Sequence, residues 1–345
     1  MTEHKVSFTF EGGEGFTVDC REDEDVVTAA LRQGFILLTE CREGTCSTCK
    51  GYLAEGDYDE LLTHSVHALS PSEEEEGWVL ACWLQPRSDM LVEYDYPFHR
   101  VERFADGARQ GRIVSCERLS DTVVRLVVKT LEAQPAVTFD PGQYVRLTLR
   151  SVGVTRDYSM ASLPPGLSGA GGGRDLEFLI RVMPDGAFSG WVAAEDRRGE
   201  LVDVEGPFGL FTLRTGTGRT PVMVAGGTGL APILSMLRSL GPDDEARLFF
   251  GNTNPGDVFG DADLAALPAG VRVSQALVNA GPGWAGTTGL VTDALSAEIT
   301  EPLSHDYYLC GPPPMVAAAR ALLEGWGVPA GQVFEERFTP SGGES

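Results

Sequence analysis

The sequence predicts a multidomain protein of α+β and α/β type, in which a small mixed domain, an antiparallel β-barrel and a parallel α/β sheet follow one another. The chain has 345 residues, which is too long for one ordinary hydrophobic core and suggests two or three domains. Its middle part consists of short β-type runs separated by turns, whereas its last part alternates strands with helices. Four of its 7 cysteines lie between residues 41 and 82, and this concentration of cysteines distinguishes the first part of the chain from the other two.

The first predicted domain spans residues 1–98. The alternation of apolar and polar residues over 6–10 is typical of a strand. A short helix is expected over residues 25–33, because acidic residues occupy its first turn and Gly34 follows its end. The apolar run over 79–84 is expected to be a buried strand, and the polar residues 99–108 are expected to form a linker.

The cysteines of this domain have an informative spacing. Cys41, Cys46 and Cys49 read C-x4-C-x2-C, and Cys82 follows 33 residues later. This pattern is typical of four thiolates that hold a plant-type [2Fe–2S] cluster, and Gly44 gives the loop the freedom to wrap around an inorganic core. Two alternatives are four unrelated cysteines and a structural zinc site, although zinc usually takes its ligands as two close pairs. We predict that these four cysteines are iron ligands.

The charge of the chain is strongly acidic and unevenly distributed. The formal net charge is −23, and residues 1–98 contribute −15 of it, with 6 Lys and Arg against 21 Asp and Glu. Such acidity argues against binding to nucleic acid, whose phosphates require basic side chains. Two interpretations remain open: the acidic domain steers towards a basic protein surface, or the acidity keeps the protein soluble.

The sequence favours a cytoplasmic protein that does not bind membranes. No stretch approaches the ~20 apolar residues of a membrane span, and the N-terminus lacks the apolar segment of a signal peptide. The remaining cysteines, Cys20, Cys116 and Cys310, are scattered, so a disulfide framework is not expected and a reducing compartment fits.

The second and third predicted domains differ in their pattern. Residues 109–216 are predicted to form the antiparallel barrel, with strands over 113–114, 122–128, 144–149, 176–181 and 201–204. Residues 217–345 are predicted to form the parallel α/β sheet, with strands over 221–225, 247–250, 271–277 and 306–309, and helices over 232–240, 291–297 and 315–324.

Two turns of the third domain are suited to a dinucleotide. Gly227, Thr228 and Gly229 connect a strand to a helix, where free backbone N–H groups and the helix dipole favour a phosphate. Such a turn alone is weak support, because many α/β proteins need one to connect a strand to a helix. A second turn, formed by Cys310, Gly311 and Pro312, follows another strand, and ligands bind at the carboxyl ends of such strands. Residues 252–271 contain no Lys or Arg, which favours NADH over NADPH.

Two short segments of the second domain are suited to another cofactor. In the run Arg156-Asp157-Tyr158-Ser159, the arginine can pair with phosphate, the tyrosine can stack and the serine can hydrogen-bond a ring nitrogen. Alternatively, Arg156 pairs with a surface acid and Tyr158 belongs to the core. The segment with Gly186, Phe188 and Ser189 precedes a short predicted helix and is a second candidate for binding a pyrophosphate.

With these motifs, the chain resembles the reductase components of soluble di-iron monooxygenases, most closely the methane monooxygenase reductase group. The most specific stretches are residues 23–33, 41–49, 55–59, 73–77, 225–232 and 333–338. The resemblance implies a β-grasp [2Fe–2S] ferredoxin domain, an FAD-binding barrel and an NAD-binding α/β domain, which pass electrons from NADH to a separate hydroxylase. The reductases of benzoate-type ring-hydroxylating dioxygenases share this order and are the nearest alternative. An adaptor that senses redox state or docks a partner without turnover is a third.

The resemblance also implies roles for individual residues. Ser159, Cys310 and Glu335 are expected to be catalytic, with Ser159 near the redox-active N5 of the flavin. The expected cofactor-binding residues are Arg156, Asp157, Tyr158, Ser159, Gly186, Phe188, Ser189, Gly227, Thr228, Gly229, Cys310, Gly311, Pro312 and Phe338. FAD rather than FMN rests on the resemblance. A monomer whose acidic ferredoxin domain docks onto the hydroxylase is expected.

Overall fold

A computed structural model describes residues 2–39, 44–60, 64–103, 109–131, 136–167, 174–214 and 216–338. The chain divides into two compact units, residues 1–108 with 208–210, and residues 109–207 with 211–345. Within the described ranges, every helix falls short of the length and hydrophobicity that a membrane span requires.

The first unit is built mainly on one mixed sheet. Its elements are β1 (Glu3–Glu11), β2 (Gly15–Arg21), α1 (Val26–Arg32), β3 (Phe35–Ile36), β4 (Lys50–Glu55), β5 (Tyr58–Glu60), α2 (Pro71–Glu75), β6 (Trp78–Leu80), β7 (Leu84–Pro86), β8 (Met90–Pro97) and β9 (Glu102–Arg103). The sheet has the order β2-β1-β8-β4-β6, in which β1 is parallel to β8 and the other pairs are antiparallel. This arrangement confirms the predicted mixed α+β domain.

Helix α1 forms where the sequence predicts it. The Asp25 side chain accepts a hydrogen bond of 2.8 Å from the Thr28 N–H and caps the helix. Val26, Val27 and the segment 29–31 are buried, so the helix packs one apolar face into the core. This core contains aromatic side chains of the sheet and also two of the predicted iron ligands, Cys49 and Cys82.

Two parts of the first unit differ from the expectation. The run over 79–84 is not one strand, because pairing with β4 ends at Leu80 and a 3₁₀ turn, Ala81–Trp83, follows. Part of the expected linker is folded, since Arg103 in β9 pairs with Phe35 in β3. Residues 104–108 lie outside the described residues.

The second unit contains the other elements. These are β10 (Arg109–Arg118), β11 (Val123–Thr130), β12 (Tyr144–Leu149), β13 (Val154–Ser159), β14 (Asp175–Arg181), α3 (Ala187–Ala194), β15 (Leu201–Phe208), β16 (Thr220–Gly226), α4 (Leu230–Arg238), β17 (Ala246–Asn252), α5 (Asp261–Ala265), β18 (Val271–Leu277), β19 (Thr287–Thr288), α6 (Val291–Glu298), β20 (His305–Gly311), α7 (Pro313–Gly325) and β21 (Val333–Arg337).

The first six strands of this unit form the predicted antiparallel barrel. Their order is β13-β12-β15-β10-β11-β14. A bridge between Met160 and Phe178, together with a hydrogen bond of 2.8 Å from the Ala161 N–H to the Glu177 carbonyl, joins the two outermost strands. Apolar side chains of alternate residues fill the interior, among them Leu126, Leu147 and Phe178.

The remaining strands form a parallel sheet in the order β19-β18-β17-β16-β20-β21. The chain runs outwards from β16 to β19 and then returns to the other side of β16 with β20 and β21. The strand order therefore reverses between β16 and β20, and such a switch point creates a ligand-binding crevice at the carboxyl ends of the strands. The first predicted dinucleotide turn follows β16, whereas the second begins within β20, whose last two residues are Cys310 and Gly311.

Candidate functional site

The fold brings the third and fourth predicted iron ligands to the same end of a strand pair. Cys49 directly precedes β4, and Cys82 lies in the turn that follows β6. Lys50 pairs with Leu80, and the Ala81 N–H donates a hydrogen bond of 3.2 Å to the Cys49 carbonyl. Both cysteines are buried, whereas Cys46 is half-buried in the loop. Cys41 lies outside the described residues.

The cysteine loop has a conformation that requires glycine at position 44. The φ angle of Gly44 is +66°, and a Cβ there would lie 2.9 Å from the Trp83 ring. The Gly44 carbonyl accepts a hydrogen bond of 3.0 Å from the Ser65 N–H, which ties the loop to the segment after it. Any side chain at this position would therefore push the loop away from the turn that carries Cys82.

The polar groups around this loop fit a sulfur-rich cluster. Within the described residues, no three Cys, His, Asp or Glu side chains form a metal-binding group, so Cys46, Cys49 and Cys82 are not gathered into one, and Cys41 lies outside the described residues. The buried hydroxyls of Thr39 and Tyr94 have no hydrogen-bond partner among the described residues. Cluster sulfurs accept such hydrogen bonds, so the donors present are compatible with a [2Fe–2S] group held by four cysteines.

The predicted flavin motif lies on β13, at the edge of the barrel. The Arg156 guanidinium donates a 2.6 Å hydrogen bond to the neighbouring Thr155 carbonyl, and no carboxylate among the described residues forms an ion pair with it. Tyr158 is half-buried and packs against Phe188, with ring centroids 4.9 Å apart. Burial raises the pKa of the Tyr158 hydroxyl, so it stays protonated. Arg156 thus keeps its charge available for a phosphate, and Asp157 instead pairs with Arg146.

The second predicted cofactor segment forms the start of helix α3. Gly186 is the N-cap residue, and no side chain in the described part of the chain caps this end of the helix. The N–H groups of the first turn therefore face outwards from the helix end. The Ser189 hydroxyl accepts a hydrogen bond of 3.1 Å from the Met183 N–H and closes the preceding turn. Phe188 is 2% exposed and contacts Tyr158, which places this helix end beside the Arg156 motif. The two segments together form a cradle suited to a flavin dinucleotide.

The Gly-rich dinucleotide turn lies directly against the second turn. Gly227–Gly229 form a 3₁₀ turn between β16 and α4. A Cβ on Gly229 would overlap the Cys310 carbonyl and crowd Gly311, so only glycine allows the two turns to approach this closely. Both turns lie at the switch point of the sheet, where a dinucleotide phosphate is expected to bind.

Three side chains from different strands meet where the barrel contacts this sheet. The Ser159 hydroxyl donates a hydrogen bond of 3.1 Å to Oε2 of Glu336, and the Cys310 thiol lies 3.8 Å from the same oxygen. Cys310 and Glu336 are register partners on β20 and β21. Ser159 is 5% exposed and Cys310 is fully buried, so water has little access to the cluster. We call this group the Ser–Cys–Glu cluster.

The Cys310 thiol in this cluster is held in its neutral form. Burial raises its pKa well above the ordinary value, and the Glu336 carboxylate raises it further by charge repulsion and by accepting its hydrogen bond. The thiol therefore acts as a hydrogen-bond donor and a small apolar wall, and thiolate chemistry does not take place there at neutral pH.

Glu335, the predicted catalytic carboxylate, lies on the other face of β21. Its Oε1 pairs with Arg337 at 2.8 Å and with Arg320 at 3.2 Å. The next residue, Glu336, contacts Ser159 and Cys310 instead. Alternation along a strand explains the difference, because consecutive side chains point to opposite faces. The structure thus favours Glu336 as the carboxylate of the site, whereas the motif match named Glu335.

The sequence analysis also missed Arg181, at the end of β14. Its Nη1 lies 3.7 Å from the position that a Cβ on Gly227 would occupy, so the guanidinium extends from the barrel over the dinucleotide turn. An exposed arginine beside free backbone N–H groups is suited to a pyrophosphate.

Phe338 follows β21, and its N–H donates a hydrogen bond of 3.1 Å to the Gly311 carbonyl, which places it beside the second turn.

Three family models match successive parts of the chain. The 2Fe-2S iron-sulfur cluster binding domain matches residues 9–87, the oxidoreductase FAD-binding domain matches 110–213, and the oxidoreductase NAD-binding domain matches 223–321. Over 291 residues the chain is 41% identical to methane monooxygenase component C of Methylosinus trichosporium, which covers 81% of this chain and 82% of that protein. It is 33% identical over 350 residues to the reductase component of propane 2-monooxygenase of Mycolicibacterium goodii, with 97% of each chain covered.

The chain belongs to the family of oxygenase reductase components. The reductase is also 32% identical to the electron transfer component of toluate 1,2-dioxygenase of Pseudomonas putida, over 98% of this chain and 99% of that one. Among solved structures, it resembles a cytochrome P450 reductase of Amycolatopsis with a TM-score of 0.79 and 28% identity, over 97% of this chain and 99% of the other.

These comparisons confirm the predicted family, fold class, cofactors and enzyme type. The reductase is an NADH oxidoreductase with an iron–sulfur module, an FAD module and an NAD module in this order. They favour an electron-transferring enzyme over the adaptor without turnover. The roles of individual residues stay predictions that the geometry supports to different degrees.

Proposed function

We propose that the reductase takes reducing equivalents from NADH and delivers them to the hydroxylase of a soluble di-iron monooxygenase that acts on a hydrocarbon. Relatives named as components of methane and propane monooxygenases support this acceptor. Bound FAD accepts the two electrons of a hydride together and releases them singly, and a [2Fe–2S] cluster carries one electron at a time. The chain's own residues supply binding, orientation and exclusion of water.

The observation that supports this function most strongly is the Ser–Cys–Glu cluster. It places Ser159 of the barrel within hydrogen-bond distance of Glu336, beside the turn that ends β20. The nicotinamide and flavin modules therefore meet at a dry site where the Ser159 hydroxyl is oriented by a carboxylate. Hydride transfer needs such orientation and exclusion of water. It does not require a general acid whose pKa lies near neutrality.

Arg181 and the turn Gly227–Gly229 are proposed to bind the pyrophosphate of NADH. The absence of Lys and Arg between residues 252 and 271 supports NADH over NADPH, because a 2′-phosphate needs a basic partner.

The reductase is proposed to work in the cytoplasm as a monomer. Size-exclusion chromatography with light scattering tests the monomer, and a dimer would contradict it.

The test is anaerobic reduction of the purified holoprotein by NADH. Bleaching of the flavin followed by a one-electron iron–sulfur EPR signal is expected, and NADPH is expected to react far more slowly. Binding of NADH without bleaching would overturn the proposal and favour the adaptor. A wild-type holoprotein that lacks the EPR signal would overturn the assignment of the four cysteines.

The second candidate acceptor is a ring-hydroxylating dioxygenase. The toluate dioxygenase relative, which is matched over 98% of this chain, favours it. Electron delivery to a di-iron hydroxylase and to a Rieske oxygenase can be compared at equal concentrations by substrate-dependent NADH consumption. Faster turnover with the Rieske oxygenase would reverse our assignment.

A further inference from the structure

Strand β8 carries a buried tyrosine whose hydroxyl lacks a hydrogen-bond partner among the described residues. Tyr94 is only 4% exposed, and its oxygen is fully shielded from solvent. Buried hydroxyls are almost always hydrogen-bonded, so an unpaired one calls for an explanation, and a cofactor that completes the hydrogen bond is one.

The ring of Tyr94 packs beside the end of β4 that carries Cys49. Strands β4 and β8 are antiparallel, with Tyr52 opposite Glu93. The Cε1 atom of Tyr94 lies 3.0 Å from the position that a Cβ on Gly51 would occupy, so the missing side chain makes room for the ring. Cys49 precedes Gly51 by two residues, and alternate residues of a strand share a face. Cys49, the residue before β4, is buried in the same core as the Tyr94 ring.

Cys82 belongs to the same hydrophobic core as Tyr94. The turn with Cys82 is held to Cys49 by the hydrogen bond from the Ala81 N–H. Cys49, Cys82 and Tyr94 are all part of the hydrophobic core of the first unit. Burial raises the pKa of Tyr94 well above its ordinary value, so its hydroxyl stays protonated and is able to donate a hydrogen bond.

The orientation of the ring is fixed by its aromatic neighbours. The ring of Phe10 is stacked on it with centroids 5.4 Å apart, and that of Tyr96 lies 4.9 Å away. A ring packed in this way cannot rotate its hydroxyl towards solvent, so the hydroxyl must find its partner within this part of the core.

We propose that Tyr94 donates a hydrogen bond to a sulfur of the [2Fe–2S] cluster and thereby raises its reduction potential. The proposal rests on the assignment of the cluster to the four cysteines made above. Reduction adds negative charge to the cluster, and a donor to its sulfurs stabilises the reduced form more than the oxidised form. Tyr94 is thus a positioning and tuning residue for the electron-transfer reaction.

The test is the reduction potential of the cluster in full-length Tyr94→Phe holoprotein, measured by EPR-monitored redox titration. Loss of a hydrogen bond to a charged group is expected to make reduction about tenfold less favourable, which is a shift of ~59 mV to more negative potential for one electron. Tyr52→Phe is the matched control, because Tyr52 lies on β4 next to Gly51 but is 38% exposed on the other face. Its potential is expected to equal that of the wild type.

An unchanged potential in Tyr94→Phe protein that retains its cluster would overturn the proposal. If this variant loses the cluster, site-specific replacement of Tyr94 by 3-fluorotyrosine keeps the ring and makes its hydroxyl a stronger donor. The proposal then predicts a more positive potential, and no shift would overturn it. Loss of the cluster signal in the wild type would instead refute the cysteine assignment.

Discussion

At the scale of single residues, the neighbouring carboxylates of Glu335 and Glu336 show how strand geometry decides a role. Only Glu336 reaches Ser159 and Cys310, whereas Glu335 is held by Arg320 and Arg337. We expect Glu336→Gln to slow the reduction of bound flavin by NADH about tenfold, because Ser159 loses a charged hydrogen-bond acceptor. Stopped-flow absorbance under anaerobic conditions measures this rate.

Glu335→Gln is the matched control for this prediction. It removes the same charge one residue away and breaks only ion pairs with half-exposed arginines, which contribute little. Its rate is expected to stay near that of the wild type. Equal slowing in both variants would show that the C-terminal strand acts through its overall charge, and the assignment of Glu336 to the site would be lost.

The raised pKa of Cys310 leads to a second prediction at this scale. Since burial and Glu336 keep the thiol protonated, iodoacetamide at pH 8 is expected to leave Cys310 unmodified in the folded reductase and to alkylate it after unfolding in guanidinium. Mass spectrometry of peptides measures both. As the pH rises above the ordinary thiol pKa, the unfolded chain releases a proton that the folded chain keeps, so this residue lowers stability at alkaline pH. Rapid alkylation of Cys310 in the folded protein would contradict the buried neutral thiol.

At the scale of elements, helix α4 connects the predicted dinucleotide turn to the segment that follows β13, the strand with the predicted flavin motif. Ser235 is fully buried, and its hydroxyl donates a hydrogen bond of 2.7 Å to the Ser162 carbonyl. Arg238 donates one of 2.7 Å to the Ala161 carbonyl and pairs with Glu177 and Asp263. The helix that begins after Gly229 thus holds the segment that follows Ser159.

This connection predicts that Ser235→Ala slows hydride transfer although Ser235 is not placed in the cofactor site. We expect the free energy of unfolding to fall by about 1–3 kcal/mol, because the Ser162 carbonyl loses its partner. The NADH-dependent rate of flavin reduction is expected to fall about tenfold, since small displacements of reacting groups are costly.

Ser239→Ala is the control for this prediction, because its hydroxyl bonds within the same helix to the Met236 carbonyl at 2.7 Å. A larger deuterium kinetic isotope effect with labelled NADH in Ser235→Ala would identify the slowed step as hydride transfer. A loss of stability without a change in rate or isotope effect would refute the positioning role.

The elements that the sequence predicted are those with strong local signals. Strands β12 and β18 have the predicted bounds, since each begins and ends with an apolar residue. The sequence analysis did not assign β13 as a strand, because its charged residues give no apolar pattern and its conformation depends on pairing with β12. The turn that carries Cys82 was also missed, because it depends on a contact with Cys49, which is distant in sequence. Long-range pairing, which composition does not encode, explains these differences.

At the scale of the whole molecule, the uneven charge leads to a prediction about partner recognition. Residues 1–98 carry −15 of the total charge of −23. If this acidic domain steers towards a basic oxygenase surface, the second-order rate of electron delivery should fall about tenfold between low and high ionic strength. Reduction of an uncharged quinone such as menadione is the control and should change little.

Helix α2 allows steering to be separated from solubility. Glu73 has a structural role, because it completes a capping box with Ser70 and pairs with Lys50 at 2.6 Å, whereas residues 74–76 are exposed glutamates. Replacing Glu74, Glu75 and Glu76 by glutamine therefore removes three charges and leaves the cap intact. We expect slower delivery to the oxygenase at low salt, a weaker salt dependence and unchanged menadione reduction. If delivery and its salt dependence equal those of the wild type while the protein precipitates more readily, these glutamates serve solubility and the partner binds elsewhere.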